Sequence, residues 1–153
     1  MKFLRAFTIL ELVFVIIIIS ILASISIPLI NNNKTQAKIL KLKVDYETIQ
    51  SAIAFSKNEK FDNLYPNVLD EANENLEKEK LFFCSDEEIK ICKSTNCCNK
   101  KILNSPIYSS FNSWIKIAKN KYRFYINKKD YVDFVYENGN LECKTQKWCK
   151  ELL

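Results

Sequence analysis

Met1–Ile30, MKFLRAFTILELVFVIIIISILASISIPLI, opens the chain with two basic residues, Lys2 and Arg5, followed from Phe7 by a near-unbroken apolar run that carries one acidic residue, Glu11. A charge inside an apolar, membrane-type segment costs about 2.5–3.5 kcal/mol on insertion scales, so it reads as a functional group with a partner. A cut between Ala6 and Phe7 would create one. The new amine of Phe7 would stand at the head of the apolar helix, where Glu11 of one copy could neutralise the amine of its neighbour.

The succession Lys2, Arg5, Ala6, Phe7-Thr8-Ile9-Leu10-Glu11-Leu12, an apolar stretch and Pro28 resembles the N-terminus of the type IV pilin and type II secretion pseudopilin family. Ala6 stands where that family nearly always has Gly. The resemblance implies a leader of residues 1–6 removed by a prepilin peptidase, N-methylation of Phe7 and an assembly role for Glu11. It also implies residues 7–30 as the transmembrane and assembly half of a long helix, 31–57 as its amphipathic half, and 58–153 as a periplasmic globular domain. The implied location is the bacterial inner membrane, single-pass, before incorporation into a filament. A plain signal peptide or anchor needs only hydrophobicity and leaves Glu11 unexplained. Its cleavage site would be the poor small-x-small match at Ala23-Ser24-Ile25-Ser26. Lys34, Lys38, Lys41 and Lys43 outnumber Lys2 and Arg5, so a positive-inside count alone would give the opposite orientation.

At 153 residues the chain has room for one small domain beyond this segment. Its formal charge of +5 falls to +3 once Lys2 and Arg5 leave, and the charges are interspersed rather than gathered in the basic stripe that nucleic-acid affinity requires. Histidine is absent and Gly139 is the one glycine. The commonest acid-base group is therefore missing, and so are the Gly-rich loops that cradle phosphate. These absences argue against an enzyme, and no cofactor is expected.

Pro28 is expected to bend the helix, and Asn31-Asn32-Asn33 marks its apolar-to-polar boundary. Beyond it Ile39, Leu42, Tyr46, Ile49 and Ile53 recur at steps of three and four, an amphipathic stripe suited to packing on a sheet. One helix from Phe7 to about Lys57 accounts for both parts. Asn67 to Lys80, with Asp70, Glu71, Glu74, Glu77 and Glu79, is expected to be a short helix with a solvated acidic face after a loop at Pro66. Ile107 to Ala118 carries Phe111, Trp114 and Ile117 at spacing that fits helix or strand. Tyr122–Ile126 and Tyr131–Tyr136 are β-branched and aromatic runs around a turn, Asn138-Gly139 is a strong turn signal, and Leu141–Cys143 offers a third strand. The expected fold class is α+β and pilin-like: the long helix packed on a small antiparallel β-meander, stabilised by disulfides.

Cys84, Cys92, Cys97, Cys98, Cys143 and Cys149 form an even set of the kind small exported domains oxidise. Six cysteines allow 15 pairings, which sequence cannot choose among. The adjacent Cys97 and Cys98 fit outward pairing better than a strained ring, for instance with Cys84 and Cys92. Cys143 and Cys149 would then close a loop like the C-terminal disulfide loop of many type IV pilins. Each bridge contributes about 2–4 kcal/mol. The competing reading is a four-thiolate zinc site from Cys84, Cys92, Cys97 and Cys98, disfavoured by the absence of a CxxC pair. A disulfide-exchange enzyme is disfavoured for the same reason.

The leading expectation is a structural subunit, a pseudopilin or minor pilin of a type II secretion-like or type IV pilus-like filament serving protein secretion or DNA uptake in natural transformation. Its partners would be other pilins, the prepilin peptidase and an inner-membrane assembly platform. Alternatives are a surface pilin for adhesion or motility, and a filament-tip subunit that binds DNA. The DNA surface would comprise Lys116, Lys119, Lys121, Arg123, Lys128 and Lys129 with Tyr122, Tyr125 and Tyr131 as stacking platforms; the plainer reading is a hairpin with solubilising lysines.

Overall fold

The computed structural model describes residues 8–58 and 64–152, with the side chains of 25–32 and 151 outside the description. Two compact units meet at Ala37/Lys38, and α1 (Ile9–Asn58) contributes to both.

In the first unit, α1 starts at Thr8, whose carbonyl accepts from the Leu12 amide at 3.1 Å and whose Oγ1 accepts from the Glu11 amide at 3.2 Å. This side-chain cap satisfies an amide that the first helical turn leaves without a partner. Glu11 lies in that turn, where a negative charge is favoured by the helix dipole. Ser20 and Ser24 return their hydroxyls to the carbonyls of Ile16 and Ile21, both at 2.7 Å, so neither needs a partner outside the helix.

Among the described residues, no helix is long and apolar enough to cross a membrane. This corrects two expectations: the transmembrane half assigned to residues 7–30 within a pilin-like fold class, and the single-pass inner-membrane location. The described residues form an α+β structure with an antiparallel meander and three disulfides.

In the second unit, the face of α1 carrying Leu42, Ile49 and Ile53 is buried, with Ile39 and Tyr46 packed beside it. It meets a four-stranded antiparallel sheet of β3 (Trp114–Ala118), β4 (Lys121–Tyr125), β5 (Tyr131–Glu137) and β6 (Asn140–Cys143), in that order. Alternation puts Tyr122, Phe124, Val132, Phe134, Tyr136 and Leu141 in the core, as one-sided burial of a sheet requires. Trp114 sits 5.3 Å from Phe124 and 5.0 Å from Phe134, and Tyr46 lies 5.6 Å from Phe134. The register of β3 on β4 shifts between Lys116 and Ala118, a bulge of the kind that adds twist. Asn138 and Gly139 both have positive φ, 50° and 80°, as the tight β5–β6 turn demands. A Cβ on Gly139 would fall 2.3 Å from the Tyr65 ring.

Polar side chains fasten helix to sheet. The Trp114 indole N–H donates to Asp45 at 2.9 Å. The Gln50 amide donates to the Leu141 carbonyl and accepts from its N–H, both at 3.2 Å. Along β3, the carbonyls of Trp114 and Lys116 accept from the amides of Ser110 and Asn75 at 2.7 and 2.8 Å.

A two-stranded sheet, β1 (Lys80–Leu81) with β2 (Ile107–Tyr108), and two short helices, α2 (Asp86–Ile91) and α3 (Gln146–Leu152), complete the unit. A Ser85–Glu88 capping box starts α2. The helix expected over 67–80 is replaced by irregular chain with positive φ at Asn75 and Lys78. Its carboxylates hold backbone amides: Glu71 accepts from Cys98 at 2.9 Å, Glu77 from Phe111 at 3.1 Å and Glu79 from Asn73 at 3.2 Å. Asp70 belongs to the core rather than to a solvated acidic face.

Candidate functional site

The surface with the least internal explanation is the first part of α1. Every large apolar residue from Ile9 to Leu22 is exposed, by 41% to 84%, although water-facing apolar patches on a free domain are usually small. A groove of about 390 Å³ elsewhere, bounded by Tyr65, Asn67, Asn120 and Glu137, is polar by comparison. On α1 itself, Thr8, Leu10, Glu11, Val13, Phe14 and Ile17 border an apolar hollow of about 460 Å³ with Glu11 as its one ionisable group. Among the described residues, the Glu11 carboxylate has no ion pair, and its backbone amide is already used by Thr8. The arrangement can seat an apolar helix and one cation.

Ala6 and Phe7, the expected cleavage and methylation positions, lie outside the described residues. Pro28 falls within α1, at a position whose side chain is outside the description.

The cysteines pair as Cys84–Cys98, Cys92–Cys97 and Cys143–Cys149. The four cysteines of the alternative zinc reading are thereby committed to two disulfides, and their thiolates are not available to a metal. Among the described residues, no group of acidic, Cys or His side chains could hold one.

Of the residues named for the alternative DNA surface, several are already engaged within the fold. Lys116 is buried, with Nζ 2.8 Å from Asp70 Oδ1. Arg123 forks onto Asp133 at 2.6 and 2.9 Å and stacks 3.8 Å over Tyr131; that carboxylate holds its guanidinium proton still more firmly than usual. Lys119 donates to Asn96 at 2.7 Å. Tyr122 is buried and is no stacking platform. Lys121 opens β4, whereas Lys128 and Lys129 lie in the turn beyond its other end.

Sequence reasoning missed the polar centre of the domain. The buried Asp70 carboxylate accepts at Oδ1 from Lys116 and from the Ala72 amide, and at Oδ2 from the Tyr122 hydroxyl and the Phe82 amide, at 2.8 to 3.2 Å. Four donors saturate a carboxylate. Burial, and next the Asp70 charge, push the Tyr122 phenol well above its ordinary value. Nearby, Lys100 ties the end of α1 to the following loop, donating to the carbonyls of Ser56 at 3.2 Å and Leu64 at 2.7 Å. With its groups mutually satisfied, the Asp70 centre is built to hold the fold rather than to react. Its side-chain partners lie 46 and 52 residues away in sequence, a separation that leaves no local signal.

Set against known protein families, curated proteins and solved structures, the chain matches none.

Proposed function

We propose that the chain is a structural subunit of a filament, of the pseudopilin or minor-pilin kind, whose copies assemble by covering one another's apolar N-terminal helices. Protein secretion or DNA uptake is the process such a filament would serve. The observation that carries this reading is the exposed apolar surface of Ile9 to Leu22 with a single acid, Glu11, in its first turn. Among the described residues no apolar partner covers that surface, and a neighbouring helix of the same composition fits it. The Phe7 amine, freed by cleavage after Ala6, would meet Glu11 of an adjoining copy and set the axial stagger. In a dry bundle each charge alone is costly, so pairing fixes register as well as contact.

The test is Glu11→Leu in the native host. The variant should fold and accumulate normally while its recovery in cross-linked, high-mass assemblies drops by about tenfold or more, the effect of losing about 1.4 kcal/mol or more per contact. Unchanged assembly would refute the role of the carboxylate. Mass spectrometry of the mature N-terminus checks the Ala6/Phe7 cut and the methyl group in the same sample.

A further inference from the structure

The three disulfides sit in different surroundings. Cys84 and Cys98 are fully buried and form a small cluster with Val68. Cys143 and Cys149 are partly exposed, but Cys143 packs against the main core, and the bridge joins β6 to α3, which delivers the buried Leu152. Cys92 and Cys97 are partly exposed, belong to neither buried cluster, and span a sequence separation of 5. Residues 93–96 between them are all exposed. A cleft of about 410 Å³ borders this bridge, with Ile91, Ser94, Glu71 and Glu88 in its wall. Ile91 is 72% exposed, an apolar foothold directly beside an accessible sulfur pair.

From these differences we infer that Cys92–Cys97 is a site of thiol–disulfide exchange, at which this chain is the substrate of a dithiol protein that docks on Ile91 and the cleft. The geometry also sets the direction of attack. Ser94 Oγ lies 3.5 Å from Cys97 Sγ, and because the sulfur is in a disulfide, the hydroxyl is the donor. The Ser94 carbonyl oxygen lies about equally close to both sulfurs, 3.4 Å from Cys92 Sγ and 3.3 Å from Cys97 Sγ, so the hydroxyl is what distinguishes them: it favours Cys97 as the leaving thiolate, and exchange is faster when the leaving sulfur is the better stabilised one. The partner's thiolate therefore attacks Cys92 Sγ, breaking the Cys92–Cys97 bond and forming a mixed disulfide on Cys92 while Cys97 departs as thiolate. The partner's second thiol then attacks its own sulfur in the mixed disulfide and expels the Cys92 thiolate. The two cysteines gain two electrons and, from solvent, the two protons that the dithiol gives up as it becomes a disulfide. Cys84–Cys98 remains closed because its sulfurs are shielded, so the adjacent, freed Cys97 cannot exchange with it. The surface loop opens while the core keeps its bridge.

The test exposes the full-length protein to graded dithiothreitol under native conditions, quenches with an alkylating agent and maps the labelled peptides. Cys92 and Cys97 should be labelled at a dithiol concentration about tenfold below that needed for any other cysteine, with tryptophan fluorescence unchanged. First opening at Cys143–Cys149 or Cys84–Cys98, or simultaneous opening of all three, overturns the inference. A dithiol oxidoreductase whose resolving cysteine is replaced by Ser should be trapped on Cys92. Trapping on Cys97, or no trapping, overturns the proposed attack, and Ser94→Ala should slow trapping by about threefold.

Discussion

Residues 9–24 and 38–58 of α1 draw on the same apolar side chains and meet opposite fates. In the later stretch Leu42, Ile49 and Ile53 vanish into the core and Tyr46 meets Phe134; in the earlier one the large apolar side chains from Ile9 to Leu22 stay exposed. Two acids repeat the contrast. Asp70 is enclosed by four donors, whereas among the described residues Glu11 has no ion pair and faces an apolar hollow. Pattern explains the difference. Polar residues interrupt the later stretch every few positions and leave one stripe to bury, while the earlier stretch is apolar on all sides, so no single sheet could cover it.

The sharpest way to break this contrast is at the acids. Asp70→Ala strands the Lys116 ammonium and the Tyr122 hydroxyl in the core and should cost about 3–5 kcal/mol in urea unfolding. Replacing Asp70 and Lys116 together with apolar residues should recover only the part of that loss due to the stranded ammonium, since the Tyr122 hydroxyl and the Phe82 amide still lack their acceptor. A cost below about 1 kcal/mol for Asp70→Ala would mean the centre does not hold the fold.

Next come the apolar positions. Ile49→Ala should cost about 2–4 kcal/mol through a cavity, while Ile16→Ala on the isolated chain should stay within about 0.5 kcal/mol. A larger effect at Ile16, measured in dilute solution, would show that the first stretch has a partner inside its own chain.

The smallest effect is on alkaline stability. The Tyr122 phenol titrates well above its ordinary 10.0 when folded, and burial raises Tyr136 in the same direction. Below about pH 10 both phenols are protonated in either state, so their contribution is complete. Above it the unfolded phenol loses its proton first, and unfolding free energy falls by about 1.4 kcal/mol per pH unit per group. Tyr122→Phe should have a lower baseline but an alkaline slope shallower by about that amount in urea midpoints above about pH 10. An unchanged slope would mean that Tyr122 is not shielded.

The C-terminal meander was legible because its signals are local: alternating runs at Tyr122–Ile126 and Tyr131–Tyr136, and Asn138-Gly139 whose positive φ values the turn uses. The stripe from Ile39 to Ile53 was legible for the same reason. Trp114–Ala118 was not, since Phe111, Trp114 and Ile117 repeat at a step of three that suits helix as readily as strand, and the bulge after Lys116 disturbs the strand period. Asn67 to Lys80 misled because its acids look solvated in sequence, whereas Glu71 and Glu77 accept from backbone amides of distant loops and Glu79 from that of Asn73 within the segment. Of the candidate assembly surface, Glu11 stood out from its neighbours alone; its cap by Thr8 required coordinates. The membrane half was an inference from resemblance, and among the described residues no helix is long and apolar enough to cross a membrane.

Gln50 has a consequence for how copies of this chain could join. By meeting both backbone groups of Leu141 it occupies the place a further strand would take beside β6. Across the sheet, Ser110 and Asn75 do the same for the outer carbonyls of β3. These contacts occupy part of each margin of the four-stranded sheet and so disfavour its lengthening by strand addition. The meander is thereby guarded at those positions against growth by sheet pairing.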